Sequence, residues 1–264
     1  MNLGLHGKVA LVTAASKGLG RASALALASE GAQVMIADRH QEVLFQTAQE
    51  IEESTGSKVL TCPADVSKRE DIEILVTKTL EAFEGIDILV HNTGGPPVGT
   101  FESVSDEQWQ ATFETELLSA VRLIRLVLPS MRQRGGGRIL HIVSTSVKQP
   151  SEGLILANAI RPGVVGLAKT LALDLAPEHI TVNTLCPGRI LTDRLRYGGG
   201  VRARMSQGMS EEQALQEMVR AIPMGRAGRP EEVGALVAFL ASEQAAYITG
   251  TTISIDGGFV RSIW

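Results

Sequence analysis

Seven apolar runs of strand length recur along the chain: "KVALVT", "AQVMIA", "SKVLTC", "IDILVH", "GRILHIVS", "ITVNTLC" and "TTISID". They are near-continuous rather than alternating, which is how a strand reads when both of its faces are covered. Helical spacing fills the intervals. Ala22, Leu25 and Ala26 follow the first run, and Ile72, Leu75, Val76, Thr79 and Leu80 follow the third. Strands alternating with helices imply an α/β fold. Right-handed crossovers then give a doubly wound, parallel, seven-stranded sheet with helices on both faces.

Nothing divides the chain. No polar linker, composition break or fixed-period repeat interrupts residues 1–264, so a single domain is expected. One stretch departs from the rhythm. Residues 188–229 carry no strand pattern, only "DRLRYGGGVRARMSQG" and the helical "MSEEQALQEMVRAI". The triple glycine marks a mobile segment, and an excursion of this length reads as a lid between the sixth and seventh strands.

Several classes are set aside by composition. A net charge of −4 argues against a nucleic-acid partner, which favours a basic face. No apolar stretch reaches the roughly 18 residues of a membrane span. The opening "MNLGLHGKVALV" lacks the basic and apolar regions of a secretory signal. Cys62 and Cys186 both fall in strand patterns and read as buried free thiols of a reducing cytoplasm. The five histidines show no metal spacing, so no metal is expected. His91 and His141 close adjacent strands and read as packing residues.

The first strand leads into "TAASKGLGRASALALASEG", with Gly18 and Gly20 opening a helix. Such a turn lets backbone approach a pyrophosphate, whose charge the helix N-terminus stabilises. The next strand ends at Asp38, 18 residues past Gly20. A carboxylate there accepts from both hydroxyls of an adenosine ribose and repels a 2′-phosphate.

At this point the chain resembles the short-chain dehydrogenase/reductase family, in particular its 3-oxoacyl-(acyl-carrier-protein) reductases, over essentially its whole length. The family's T-G-x-x-x-G-x-G is matched by Thr13, Ala14, Gly18 and Gly20, with alanine at the first glycine. That methyl is tolerable if φ is negative there. "CPADVS" supplies Asp65 and Val66 beside the adenine, "HNTGG" supplies Asn92 and Gly94, and "PGRILT" supplies Pro187, Gly188 and Thr192 beside the nicotinamide. The resemblance therefore implies a Rossmann fold binding NAD(P) through Thr13, Ser16, Lys17, Gly18, Leu19, Gly20, Asp38, Arg39, Asp65, Val66, Asn92, Gly94, Arg161, Pro187, Gly188 and Thr192. In the family an acid at the second strand's end points to NAD and a following arginine to NADP. Asp38 faces a 2′-phosphate directly, so NAD is expected, with NADP possible. The family also builds tetramers through the helices that here carry Trp109, Phe113, Leu117, Val121 and Leu128, and residues 157–175.

The family's chemistry is hydride transfer between a carbinol or carbonyl carbon and the nicotinamide, and a proton must move with each hydride. Its tyrosine exchanges that proton, a lysine four residues later holds the ribose, a serine orients the substrate and an asparagine relays. On this chain the serine is Ser144, but the tyrosine falls at Ala157, the lysine at Arg161 and the asparagine at Glu116. Alanine has no proton to exchange, and arginine stays charged up to pH about 12. Replacement carriers are Lys148, four residues after Ser144, and Glu116, which alternatively pairs with Arg161. The chain's two tyrosines are Tyr197, in the lid, and Tyr247, at a structural C-terminal position. Two readings follow. One is an NAD(P)-dependent oxidoreductase with an altered proton route. The other is a catalytically silent nucleotide-binding regulatory or scaffold protein of the same fold.

Pro162 bears on the same helix. It removes an i→i−4 bond and disfavours helical angles at Arg161, so a start near Asn158–Pro162, or a kink there, is expected, with Asn158 as cap. The lid's Arg189, Arg194, Arg196, Arg202 and Arg204 stand against one acid, Asp193. They read either as a solvated loop or as recognition of an anionic small-molecule substrate such as a carboxylate or acyl thioester.

Overall fold

The computed structural model describes residues 2–263 apart from Gly198. Strands β1 (Val9–Thr13), β2 (Gln33–Asp38), β3 (Val59–Pro63), β4 (Ile88–His91), β5 (Gly137–Ile142), β6 (Ile180–Pro187) and β7 (Thr252–Ile255) form one sheet. Their order is β3-β2-β1-β4-β5-β6-β7, and every pairing is parallel. The seven apolar runs become these seven strands, and the doubly wound expectation holds.

Helices α1 (Gly18–Ser29), α2 (Gln41–Thr55) and α10 (Pro230–Ala241) cover one face, where Leu27, Ile36, Leu44, Ile51, Val233 and Val237 are buried. Helices α3 (Arg69–Phe83), α5 (Ser119–Gln133) and α6 (Ile155–Leu175) cover the other, around Leu75, Leu89, Leu123, Val127, Ile139 and Val182. The order in which strands are added reverses between β1 and β4. In such sheets the carboxyl ends of the strands at that switch point form a ligand crevice.

Three features shape the crevice. Helix α4 (Asp106–Phe113) runs into α5 through one π-helical turn, Glu114–Leu118. A π turn shifts the helical register, and here it buries Glu116. The lid between β6 and α10 folds into α7 (Asp193–Tyr197), α8 (Gly199–Met205) and α9 (Glu211–Val219). Of the triple glycine expected to be mobile, Gly198 lies outside the described residues, while Gly199 and Gly200 open α8.

The third feature corrects an expectation. Helix α6 begins at Ile155, before the region marked by Pro162, and runs unbroken past it to Leu175. Asn158 is not its cap. Its side chain instead accepts from Ser151 N (3.1 Å) and donates to Ser151 O (2.8 Å). A bridge between Gly99 and Leu154 also fixes the first turn. These contacts hold residues 155–161 helical, so Pro162 costs the bond to the Asn158 carbonyl and not the helix.

Candidate active site

The phosphate turn is built by close backbone approach. A Cβ on Gly20 would stand 2.2 Å from the Ala14 carbonyl oxygen, so no side chain fits there. Ala14 itself has φ +47°, contrary to the negative φ expected from its methyl. The turn keeps the shape of the family's glycine, and alanine occupies the left-handed region at a cost of about 1 kcal/mol. Thr13 Oγ1 donates to Asn92 O (2.8 Å) and accepts from Asn92 N (3.0 Å), while Asn92 Nδ2 donates to Ala14 O (3.2 Å). Both side chains are buried, so they lock β1 to β4 beneath the turn.

A crevice of about 610 Å³ opens above this lock. Ser16, Asp38, Arg39, Asp65 and Val66 line its outer end, and Gly94, Glu116 and Arg194 its inner end. Asp38 Oδ1 accepts from His40 N (3.2 Å), and Oδ2 has no partner among the described residues. Burial pushes the Asp65 carboxyl up. Bonds from the Ser67 backbone and hydroxyl, with the Arg39 and Lys68 cations, outweigh it and hold the carboxyl below its ordinary range. The remaining cofactor candidates stand off the crevice wall. Thr13 and Asn92 lie beneath it. Thr192 reaches over the turn, its Cγ2 3.5 Å from where a Cβ of Gly18 would be. Lys17 pairs with Asp193 of the lid at 3.7 Å. A Cβ on Gly188 would meet Asp256 at 2.7 Å, so the segment after Pro187 packs on the sheet end. Leu19 packs against the core.

The donor set fits a nicotinamide dinucleotide. A tight turn opens a 12-residue helix, a carboxylate with an open oxygen stands at the end of β2, and a second acid, Asp65, follows β3.

At the inner end, Arg161 Nε and Nη2 donate to the two oxygens of Glu116 at 3.0 and 3.1 Å, and Nη1 donates to Val143 O at 3.0 Å. Both residues are buried. The pairing weighed for Glu116 is therefore present. Each of its oxygens accepts one bond from the guanidinium, so it stands as the counter-ion of Arg161. Ser144 Oγ accepts from Ser146 N (3.1 Å), which leaves its own hydrogen free to donate. Lys148 is half-buried, and its ammonium makes no hydrogen bond or ion pair among the described residues. It and Arg161 both act on Cys186, whose thiol burial pushes up to about 12 against their pull. Ala157 is buried in α6. Tyr197 and Tyr247 are both exposed, Tyr247 fully, and neither lines the crevice. No group able to hold a metal ion occurs among the described residues.

Two further groups of residues contribute to the site beyond the candidates drawn from the family motifs. Arg194 of α7 reaches into the crevice and donates to Gly94 O (2.9 Å) and Pro96 O (2.8 Å). Its signal was the arginine-rich lid, which did not single it out. Behind the π turn lies a buried chain. Ser119 Oγ donates to Thr115 O (2.5 Å), so it accepts from His91 Nε2 (2.8 Å). His91 Nδ1 is then an acceptor, taken by His141 Nδ1–H at 3.2 Å. Burial, with the Arg161 cation, lowers His91 to about 4, and burial lowers His141 well below the usual histidine value. Both rings are neutral, and they back the turn that presents Glu116.

Comparisons with known proteins agree with this geometry. A family model described as enoyl-(acyl carrier protein) reductase matches residues 13–260. A 3-oxoacyl-[acyl-carrier-protein] reductase of Vibrio cholerae is 36% identical over 256 residues, spanning 97% of this chain and 98% of its own. A D-beta-hydroxybutyrate dehydrogenase of Cupriavidus necator is 36% identical over 262 residues, spanning 97% and 99%. The structure of L-sorbose reductase from Gluconobacter frateurii, complexed with NADPH and L-sorbose, superposes with a TM-score of 0.96 at 34% identity and covers 100% of both chains.

Proposed function

The chain belongs to the short-chain dehydrogenase/reductase family, as a 3-oxoacyl-(acyl-carrier-protein) reductase-like member, and on that premise we propose that it is an NAD(P)-dependent oxidoreductase acting on a carbonyl or alcohol, with Lys148 in the proton-carrying role. The observation that carries this reading is the crevice. Its Asp38 and Asp65 end suits an adenosine, and its inner end closes on Glu116, beside Arg161.

The nicotinamide supplies or accepts the hydride when bound. Asp38 holds the adenosine ribose and disfavours a 2′-phosphate, so NAD is the preferred partner. Arg161 stands where the family's lysine holds the nicotinamide ribose. Three of its five N–H groups are used by Glu116 and Val143, which leaves two for ribose hydroxyls. Ser144 donates its free hydrogen to the substrate oxygen. Reduction makes that oxygen an alkoxide, and the Lys148 ammonium, with no partner of its own, gives the proton. Oxidation reverses the transfer. An ammonium gives up a proton far more readily than a guanidinium, which keeps its charge throughout catalysis.

The substrate is a small molecule, and the arginine-rich lid favours an anionic one, as a free carboxylate or an acyl thioester. The whole chain, 1–264, acts as one nucleotide-binding domain with 188–229 as its lid. A homotetramer is the expected assembly. The family's interface helices here leave Phe113 and Leu173 exposed, beside half-buried Trp109, Leu117, Val121 and Leu128. Cys62 and Cys186 are buried and unpaired, which suits the cytoplasm. None of the described helices is long and apolar enough to cross a membrane.

A panel of ketones and secondary alcohols, followed at the nicotinamide absorbance with each cofactor, tests the assignment. Turnover on at least one pair is expected. Micromolar cofactor binding without hydride transfer to any substrate would instead make the chain a silent nucleotide-binding protein.

A further inference from the structure

A guanidinium has two edges able to grip an anion with paired N–H groups. One is end-on, through Nη1 and Nη2, and the other is side-on, through Nε and Nη2. Arg161 spends its side-on edge on Glu116. Arg194 is arranged the other way. Its end-on edge is fixed by Gly94 O and Pro96 O, with a longer contact from Nη1 to Gly95 O at 3.5 Å. Nε and the second N–H of Nη2 meet no acceptor among the described residues. The guanidinium lies against Gly95, where any Cβ would come within 2.9 Å of Arg194 Cζ. The wall thus holds the arginine by its back and leaves a bidentate donor edge uncovered.

No acid neutralises this cation. Glu116 is close enough to act on it, but both its oxygens belong to Arg161. Asp193, the adjacent residue, pairs with Lys17. Desolvation and the Arg161 cation hold the Arg194 pKa below the ordinary arginine range, as expected for positive charge gathered without a counter-ion. Two of the other lid arginines are placed differently. Arg204 pairs with Glu217 at 3.1 Å, and Arg189 stacks on Phe259 at 4.7 Å. Arg194 is the lid arginine that lines the crevice, at the end where Glu116 closes it.

We propose that Arg194 is the substrate's anion anchor, offering its open Nε/Nη2 edge to a carboxylate carried by an oxo or hydroxy acid. This rests on the proposed function only in that the crevice's inner end receives the substrate. The same edge has a second possible source of oxyanion, the cofactor's pyrophosphate, and the test separates the two.

Calorimetric titration of the full chain saturated with NAD⁺ uses 2-oxo, 3-oxo and 4-oxo carboxylic acids, each beside its methyl ester. An oxo compound with oxidised cofactor cannot turn over, so binding is read whether or not the chain catalyses. At least one acid is expected to bind wild type more tightly than its ester. Arg194→Gln should weaken that acid by about 30-fold, the scale of a lost charged hydrogen-bond pair, with the ester as control. Arg194→Lys, which keeps the charge without the fork, should fall between. The proposal is overturned if no acid outbinds its ester, if Arg194→Gln weakens acid and ester alike, or if the loss appears in NAD⁺ affinity and not in the acid.

Discussion

Removing the Glu116 charge tests the physical heart of the site. The two side chains are 3% and 11% exposed, and two bonds of 3.0 and 3.1 Å join them. With charge centres about 4 Å apart and an effective dielectric near 20, their attraction is about 4 kcal/mol. Glu116→Gln leaves Arg161 with the Val143 carbonyl and no counter-ion, and breaking a buried pair one-sidedly costs about 3–5 kcal/mol. For a chain of this size each kcal/mol lowers Tm by about 2–4 °C, so a drop of roughly 10 °C is expected. Arg161→Met should cost a similar amount. The double variant should cost at least about 2 kcal/mol less than the sum, because it buries no lone charge. Urea or thermal unfolding of all four proteins measures the cycle. Single variants that each shift Tm by less than about 2 °C, or a strictly additive cycle, would refute the reasoning.

Three further outcomes follow from the site. Ala14→Gly relieves the left-handed strain at φ +47° and should raise stability by about 1 kcal/mol in urea unfolding, whereas a loss would show that the turn is unstrained. His91 titrates near 4 when folded and at about 6.5 when unfolded, so the unfolded chain takes up the proton first as pH falls. Its share of stability is present above pH about 6.5 and drains by about 3 kcal/mol towards pH 4, and His141 adds in the same direction. Replacing both histidines with glutamine should flatten the pH dependence of unfolding in that window, and an unchanged slope would contradict it. Equilibrium titration should find NAD tighter than NADP, with Asp38→Ser narrowing the gap by about ten-fold through loss of a like charge near the 2′-phosphate. Tighter NADP binding to the unaltered protein would reverse the assignment.

The sheet was legible because parallel strands buried on both faces leave continuous apolar runs, and each run became a strand. The glycine turn and the place of Asp38 were legible because they depend on local spacing, Asp65 came from the family resemblance of "CPADVS", and the crevice is lined by both acids. The angle at Ala14 was not, because a φ value is imposed by what packs beneath the turn, here Gly20 against the Ala14 carbonyl. The start of α6 was misjudged because Pro162 speaks only of its own missing bond, whereas Ser151 and Gly99 hold the first turn from other parts of the chain. Arg194 did not stand out from the other lid arginines because its place depends on meeting the Gly94 and Pro96 carbonyls about a hundred residues away. The Glu116–Arg161 pair was open as one of two alternatives, and the bond geometry shows that the pair forms.

The central claim is that hydride transfer proceeds here without the family's tyrosine, with Lys148 carrying the proton. The direct measurement is kcat against pH for wild type and Lys148→Met on a substrate found by the panel, with cofactor affinity measured alongside. Wild type should turn over with one ionisation in its profile. Lys148→Met should lose about 10²–10⁴-fold in kcat and lose that ionisation, with cofactor affinity held within about two-fold. A variant that keeps the wild-type rate and profile would contradict the account.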